Sequence, residues 1–197
     1  IYVLPFDAHT ALVESTFFTE RLLPDAVYEA AIETWLAQRL PHAVLQTVSR
    51  EAGVIPMTTA PFDAWPSPRI VRIGTAGGHA KPSTGYAFLA VQRFVHEFAP
   101  RIVSALRDDG YAEPPAARSP RTTALDTIFL SYLRSRPDRA PETFYRLFER
   151  VPPAVLARFL SDTGTLADDL TVMRTSDSPR LALETIRATP LLRRRKR

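Results

Sequence analysis

Residues 72–88 read RIGTAGGHAKPSTGYAF and hold four of the chain's seven glycines within twelve positions, 74 to 85. A strand-like run over residues 69–73 precedes them, and an apolar pattern of helical period over residues 84–107 follows. The sequence therefore predicts a strand, a loop with almost no side-chain bulk, and a helix. Glycine lets backbone approach another group closely, and a helix N-terminus presents unpaired N–H groups with partial positive charge. Pro82 pre-sets φ for the first helical turn, and Ser83 or Thr84 is placed to cap it. A flat or anionic ligand lying across the loop would account for its bareness. Glycines that only turn the chain and let helix pack on strand would account for it equally. Lys81 and Lys196 are the only lysines in an arginine-rich chain. Lys81 reads either as a group near a cofactor or as an accident of composition. His79 is expected to be an exposed loop side chain, with ligand contact as the alternative.

Outward from the loop, the chain divides by character. Residues 1–6 and 9–18 are β-rich, with Asp7 and Ala8 as a tight hairpin turn between them. Pro24-Asp25 opens a helix with an acidic first turn, whose apolar face is read as Val27, Ala30, Ala31, Leu36 and Leu40. Residues 43–49 and 53–58 are β-like, and Pro61, Pro66 and Pro68 mark a loop over residues 59–68. Residues 1–109 are thus a mixed α/β part, and residues 110–120, rich in Pro and Ala, read as a linker. Proline-bounded helical signals come next at 122–135, 141–150, 153–161, 165–174 and about 179–188, giving a helical cap over residues 121–192. Leu130, Leu133, Phe144, Leu147, Phe148, Leu156 and Phe159 are its expected shared core.

With 197 residues, 45% hydrophobic and 23% charged, the chain can bury a real core and has the composition of an ordinary soluble domain. No apolar run approaches the roughly 18 residues a membrane-spanning helix requires. The absence of cysteine excludes disulfides, thiolate metal sites and a cysteine nucleophile, and no spaced His/Asp/Glu set suggests a metal. The net charge of +4 depends on the tail at residues 193–197, RRRKR, without which the body is close to neutral. A nucleic-acid binder would spread basic residues over a folded face, so none is expected as a partner. The tail either stays solvated or is drawn to anionic lipid, at about 1 kcal/mol per basic residue. The start, Ile1-Tyr-Val-Leu-Pro-Phe6, is no signal peptide. It reads as the middle of a strand, and the chain is expected to be part of a longer protein.

GTAGGHAKPSTGY at 74–86, LPFDAHTALVESTFF at 4–18, GVIPMT at 53–58 and the helical run ALDTIFLSYLRSRPDRAPETFYRLFERVPPAVLARFL at 124–160 together resemble the lycopene cyclase family of carotenoid biosynthesis. The likeness runs from Ile1 to about Met173 with the motifs in the family's order. It implies the C-terminal portion of an α/β, FAD-binding flavoprotein fold of glutathione-reductase type, carrying a helical C-terminal cap. The family's N-terminal G-x-G-x-x-G, which holds the ADP half of FAD, is absent from these residues. By resemblance, Gly74, Thr75 and Ala76 lie along the ribityl–pyrophosphate region, Pro82, Ser83, Thr84, Gly85 and Tyr86 lie beside the isoalloxazine, and Gly77 is a further cofactor-binding residue. The wider flavoprotein group has Gly-Asp where this chain has Gly74-Thr75, so a carboxylate-to-ribityl contact is not implied.

Glu14 lies in the strand-like run ALVEST, sharing a face with Leu12 and Thr16 by alternation. An exposed sheet face is the simple reading. On an apolar face, burial would favour the protonated carboxyl and make it a proton donor near neutral pH. The resemblance chooses between these, since Glu14 matches the glutamate of the family's Leu-x-Glu-x-Thr motif, held to act in acid–base catalysis. The same resemblance implies a redox-neutral, proton-initiated closure of the acyclic end groups of lycopene to β-rings, giving β-carotene. Reduced FAD would be the cofactor and NAD(P)H its reductant. Phe17, Phe18, Trp65 and Tyr86 could offer cation–π contact to the carbocation. A bilayer-resident substrate and no spanning helix imply a cytoplasmic enzyme docked on a membrane surface by the cap or the basic tail. The alternatives are an FAD-dependent monooxygenase of the same fold and a non-catalytic helical interaction module.

Overall fold

A two-residue turn cannot close the first hairpin, because Asp7 folds its side chain back on its own loop. Its Oδ1 accepts the His9 N–H at 2.7 Å, and the N–H groups of Phe6 and Asp7 both donate to the Thr10 carbonyl. The hairpin in the computed structural model is therefore β1 (Tyr2–Pro5) and β2 (Ala11–Glu14), antiparallel, with Tyr2 opposite Glu14 and Leu4 opposite Leu12. Both strands are shorter than the alternation predicts. The structure describes residues 1–175, 180, 183–185, 187 and 188.

Helix α1 (Asp25–Arg39) forms where Pro24-Asp25 predicts it. Its inward face differs from the expected one: Tyr28, Ala31, Ile32, Trp35 and Leu36 are half-buried, while Val27, Ala30 and Leu40 are exposed. Tyr28 sets that rotation. Its ring meets Phe17 edge-on at 5.3 Å, its carbonyl accepts the Ser15 hydroxyl, and its hydroxyl accepts the Leu23 N–H. These residues belong to one compact unit, Ile1–Ala52, and the rest of the chain forms a second, Gly53–Arg197.

The expected strands at 43–49, 53–58 and 69–73 do not form; a single Ser67–Ile70 bridge is all that remains of them. A strand is stable only against a paired neighbour, and among the described residues these segments have none. Helix α2 (Phe88–Arg107) begins four residues later than predicted. Gly85 takes φ +75°, and its N–H closes a turn on the Lys81 carbonyl at 2.7 Å. The chain must leave that turn before it can wind into a helix, so the N-cap position falls to Ala87, and neither Ser83 nor Thr84 caps α2.

The cap helices track the proline punctuation: α3 (Pro120–Ser135), α4 (Ala140–Arg150), α5 (Pro153–Leu160) and α6 (Leu166–Thr175). Helix α3 starts on Ser119, whose hydroxyl accepts the Thr122 N–H, with Pro120 at the first helical position. Thr165 and Asp168 bond reciprocally at the start of α6, and Arg158 forks the same Asp168 carboxylate. Leu147, Val151, Leu156 and Val172 make the core, flanked by Phe144, Val155, Phe159 and Leu160. Phe148, expected inside, is exposed, because α4 buries the stripe of Thr143 and Leu147 and turns Tyr145 and Phe148 outward. Of the predicted helix at 179–188, the described residues 180, 183–185, 187 and 188 are helical, and the others lie outside the described residues, as does the basic tail. No helix among the described residues is long and apolar enough to cross a membrane.

Candidate functional site: the glycine loop and its buried charges

The loop begins as a single 3-10 turn, Gly74–Gly77. Gly77 is required by close approach, since a Cβ there would stand 2.3 Å from the Arg72 carbonyl oxygen. Gly74 is different: it holds φ +64° with nothing within 4 Å of where a Cβ would point. The loop thus has two sides. Thr75, Ala76 and Tyr86 are exposed and Gly74, Thr84 and Gly85 half-buried, whereas Gly77, Gly78, His79, Ala80, Lys81, Pro82 and Ser83 are buried.

His79 does not lie in solvent, contrary to expectation, and is only 1% exposed. Its Nδ1 is 3.1 Å from the Gly74 carbonyl, its ring meets Phe94 edge-on at 4.3 Å, and its Nε2 has no hydrogen-bond partner among the described residues. Burial pushes its pKa down, opposed by the Gly74 carbonyl and reinforced by the Arg118 charge. The folded protein therefore keeps His79 neutral where an unfolded chain, titrating near 6.5, takes up a proton. The sign comes from linkage: stability falls as pH drops through about 6.5. Denaturant midpoints at pH 7.5 and 5.5 are expected to fall less for His79→Phe than for the wild type. Equal falls would remove His79 as a source of the pH dependence.

Lys81 is 2% exposed and is paired, not free to meet a ligand. Its Nζ lies 2.6 Å from Asp162 Oδ1 and 3.0 Å from Asp126 Oδ1, and 4.8 Å above the Phe159 ring. Arg118 supplies a second cation: its Nε donates to Asp162 Oδ2 at 2.9 Å, and its terminal nitrogens donate to the carbonyls of Ala80 at 3.0 Å and Gly78 at 3.4 Å. The Ser83 hydroxyl donates to Asp126 Oδ1 at 2.5 Å. Two cations face two carboxylates, all four side chains largely buried. Burial pushes the Asp126 carboxyl up, and the Lys81 charge and the Ser83 hydroxyl oppose that shift.

Sequence reasoning missed Arg118, Asp126 and Asp162. Arg118 sits in the stretch read as a linker, although Ser119-Pro120 after it is a helix-start signal. Asp126 and Asp162 lie 43 positions from Ser83 and 81 from Lys81, so no local spacing joins them. The loop's bareness was legible; what lies beneath it was not.

Of the expected site residues, Gly74 to Gly77 and Pro82 to Tyr86 come together in this loop. Thr75, Ala76 and Tyr86 are the exposed members of this set, Gly74, Thr84 and Gly85 are half-buried, and Gly77, Pro82 and Ser83 are buried. Glu14 lies in the other unit, at the end of β2, where it is exposed. The hairpin does not bury this carboxyl: all of β1 is exposed, and in β2 only Leu12 and Val13 are half-buried. The Thr16 hydroxyl, two residues beyond the end of β2, donates to Glu14 Oε1 at 2.5 Å. No cluster of His, Asp or Glu suited to a metal ion occurs among the described residues.

A family model described as lycopene cyclase protein matches residues 1–188 of the 197. Comparison with curated proteins gives no match, and neither does comparison with solved structures.

Proposed function

Because the chain belongs to the lycopene cyclase family of carotenoid biosynthesis, we propose that it converts the acyclic end groups of lycopene to β-rings by a proton-initiated reaction without net redox change. The family match carries this reading, and Glu14 enters it as the glutamate of the Leu-x-Glu-x-Thr motif. A proton added to the terminal double bond leaves a tertiary carbocation. The neighbouring alkene attacks that carbon and closes a six-membered ring, and loss of a proton from the ring restores a double bond. One proton enters and one leaves, so the product is an isomer of the substrate. Glu14 is the acid–base residue, and the Thr16 hydroxyl bond fixes its carboxyl orientation. Water must be excluded, since it would trap the cation.

A flat group is read onto the glycine loop. Gly74 adds no side chain and leaves open space, Thr75, Ala76 and Tyr86 are exposed, and Thr84 and Gly85 are half-buried. FAD would lie there, held by backbone on residues 74–76 and 84–86, with Gly77, Pro82 and Ser83 supporting the loop. In its reduced form, regenerated by NAD(P)H, it would supply negative charge. The substrate's hydrocarbon character implies work at a membrane surface.

The test is expression of the protein at its full encoded length in lycopene-accumulating cells, coupled to pigment analysis. Accumulation of β-carotene is expected. An oxygenated carotenoid, with NAD(P)H and oxygen consumed in proportion to product, would identify a monooxygenase instead.

A further inference from the structure

We propose that Asp126 and Asp162, side chains of the helical cap, are positioning residues for the glycine loop, acting through Lys81 and Arg118 as a four-charge clamp. The catalytic part of this proposal rests on the cyclase function. The clamp's contacts go to the loop's backbone as much as to its side chains. Arg118 donates to the Gly78 and Ala80 carbonyls while its Nε holds Asp162. Asp126 accepts the Ser83 hydroxyl while pairing with Lys81. Lys81 joins the clamp to residues 84–86 through its own main chain: its N–H donates to the Tyr86 carbonyl at 2.8 Å, and its carbonyl accepts the N–H groups of Gly85 and Thr84. The path of residues 84–86 is therefore tied to the Lys81 backbone, and the Lys81 ammonium to Asp126 and Asp162.

Stability alone gives no reason for this design. Buried ion pairs hold surfaces together no better than apolar packing of the same volume, because desolvation offsets their attraction. What charged hydrogen bonds add is direction, and here the direction is given to a loop whose bare side would face a cofactor. A cap with its own core of Leu147, Val151, Leu156 and Val172 thereby sets the shape of a loop remote from it in sequence.

Two variants test the clamp. Asp126→Asn keeps an acceptor for Ser83 and loses the charge. Asp162→Asn suits the left-handed backbone at this position, φ 58°, which asparagine tolerates. Hydrogen–deuterium exchange on the full-length protein reads peptides across residues 74–86 against peptides of α4 and α5, and lycopene turnover is measured alongside. The expected result is exchange in the loop faster by about tenfold with α4 and α5 still protected, and kcat lowered by about tenfold with KM held. Unchanged loop exchange in either folded variant overturns the clamp, as does an equal loss of protection in loop and cap. Faster loop exchange with unchanged kcat overturns the positioning role. If the wild type does not cyclise lycopene, the proposed function fails, and the exchange comparison still decides whether the clamp exists. Should Asp126→Asn not fold, Asp162→Asn decides alone.

Discussion

Lys81→Met is expected to cost about 3–5 kcal/mol of folding stability, the range for removing one partner from a buried ion pair. Methionine is close to lysine in length and can keep the contact with Phe159, so packing loss is small. The loss comes from charge: Asp126 and Asp162 remain buried with Arg118 alone to balance them, and Arg118 reaches Asp126 only at 3.7 Å. Adding Asp126→Asn restores neutrality, because Asp162 and Arg118 still pair. The double variant is therefore expected to be more stable than Lys81→Met by about 1–3 kcal/mol, a non-additivity typical of contacting residues. Urea unfolding monitored by circular dichroism measures both. A loss below about 1 kcal/mol for Lys81→Met would show that the four charges do not act as a unit.

Glu14→Gln is expected to lower lycopene turnover by about 10²–10⁴-fold, the range for losing a positioned acid–base group. Glutamine keeps the size of the side chain and a carbonyl oxygen to accept the Thr16 hydroxyl. It neither gives nor takes a proton. Glu14 is exposed on the hairpin, so the replacement is expected to leave stability within about 0.5 kcal/mol. Equal turnover and equal stability would remove Glu14 from the chemistry. Lost turnover with lost stability would make its role structural.

Proline made the helical half of the chain legible. Pro120, Pro141 and Pro153 each stand in the first helical turn, where a missing N–H does no harm, and helices formed there. The β-like runs at 43–49, 53–58 and 69–73 were misleading for the complementary reason: alternation describes a strand's faces but not its partner, and pairing decides whether a strand exists. At the site, Gly74 to Gly77 and Pro82 to Tyr86 were visible as one bare loop because their message is local. Lys81 was visible as an oddity, a lone lysine in the body of an arginine-rich chain. Its partners Asp126 and Asp162 are set by tertiary packing, so no local spacing joins them to it. Asp126 stood one turn before Phe129 and Leu130 in an apolar helical pattern, and a carboxylate on such a face needs a buried cation. That was the one hint in the sequence.

The central claim is that this protein adds a proton, closes a ring and returns a proton. It is tested by letting the full-length protein act on lycopene in D2O and weighing the product. Proton-initiated cyclisation predicts that the cyclic product made in ordinary water has the mass of lycopene, and that the product made in D2O is heavier by one deuterium for each ring closed. A product lighter by two hydrogens, one carrying oxygen, or a ring formed in D2O without deuterium would contradict it.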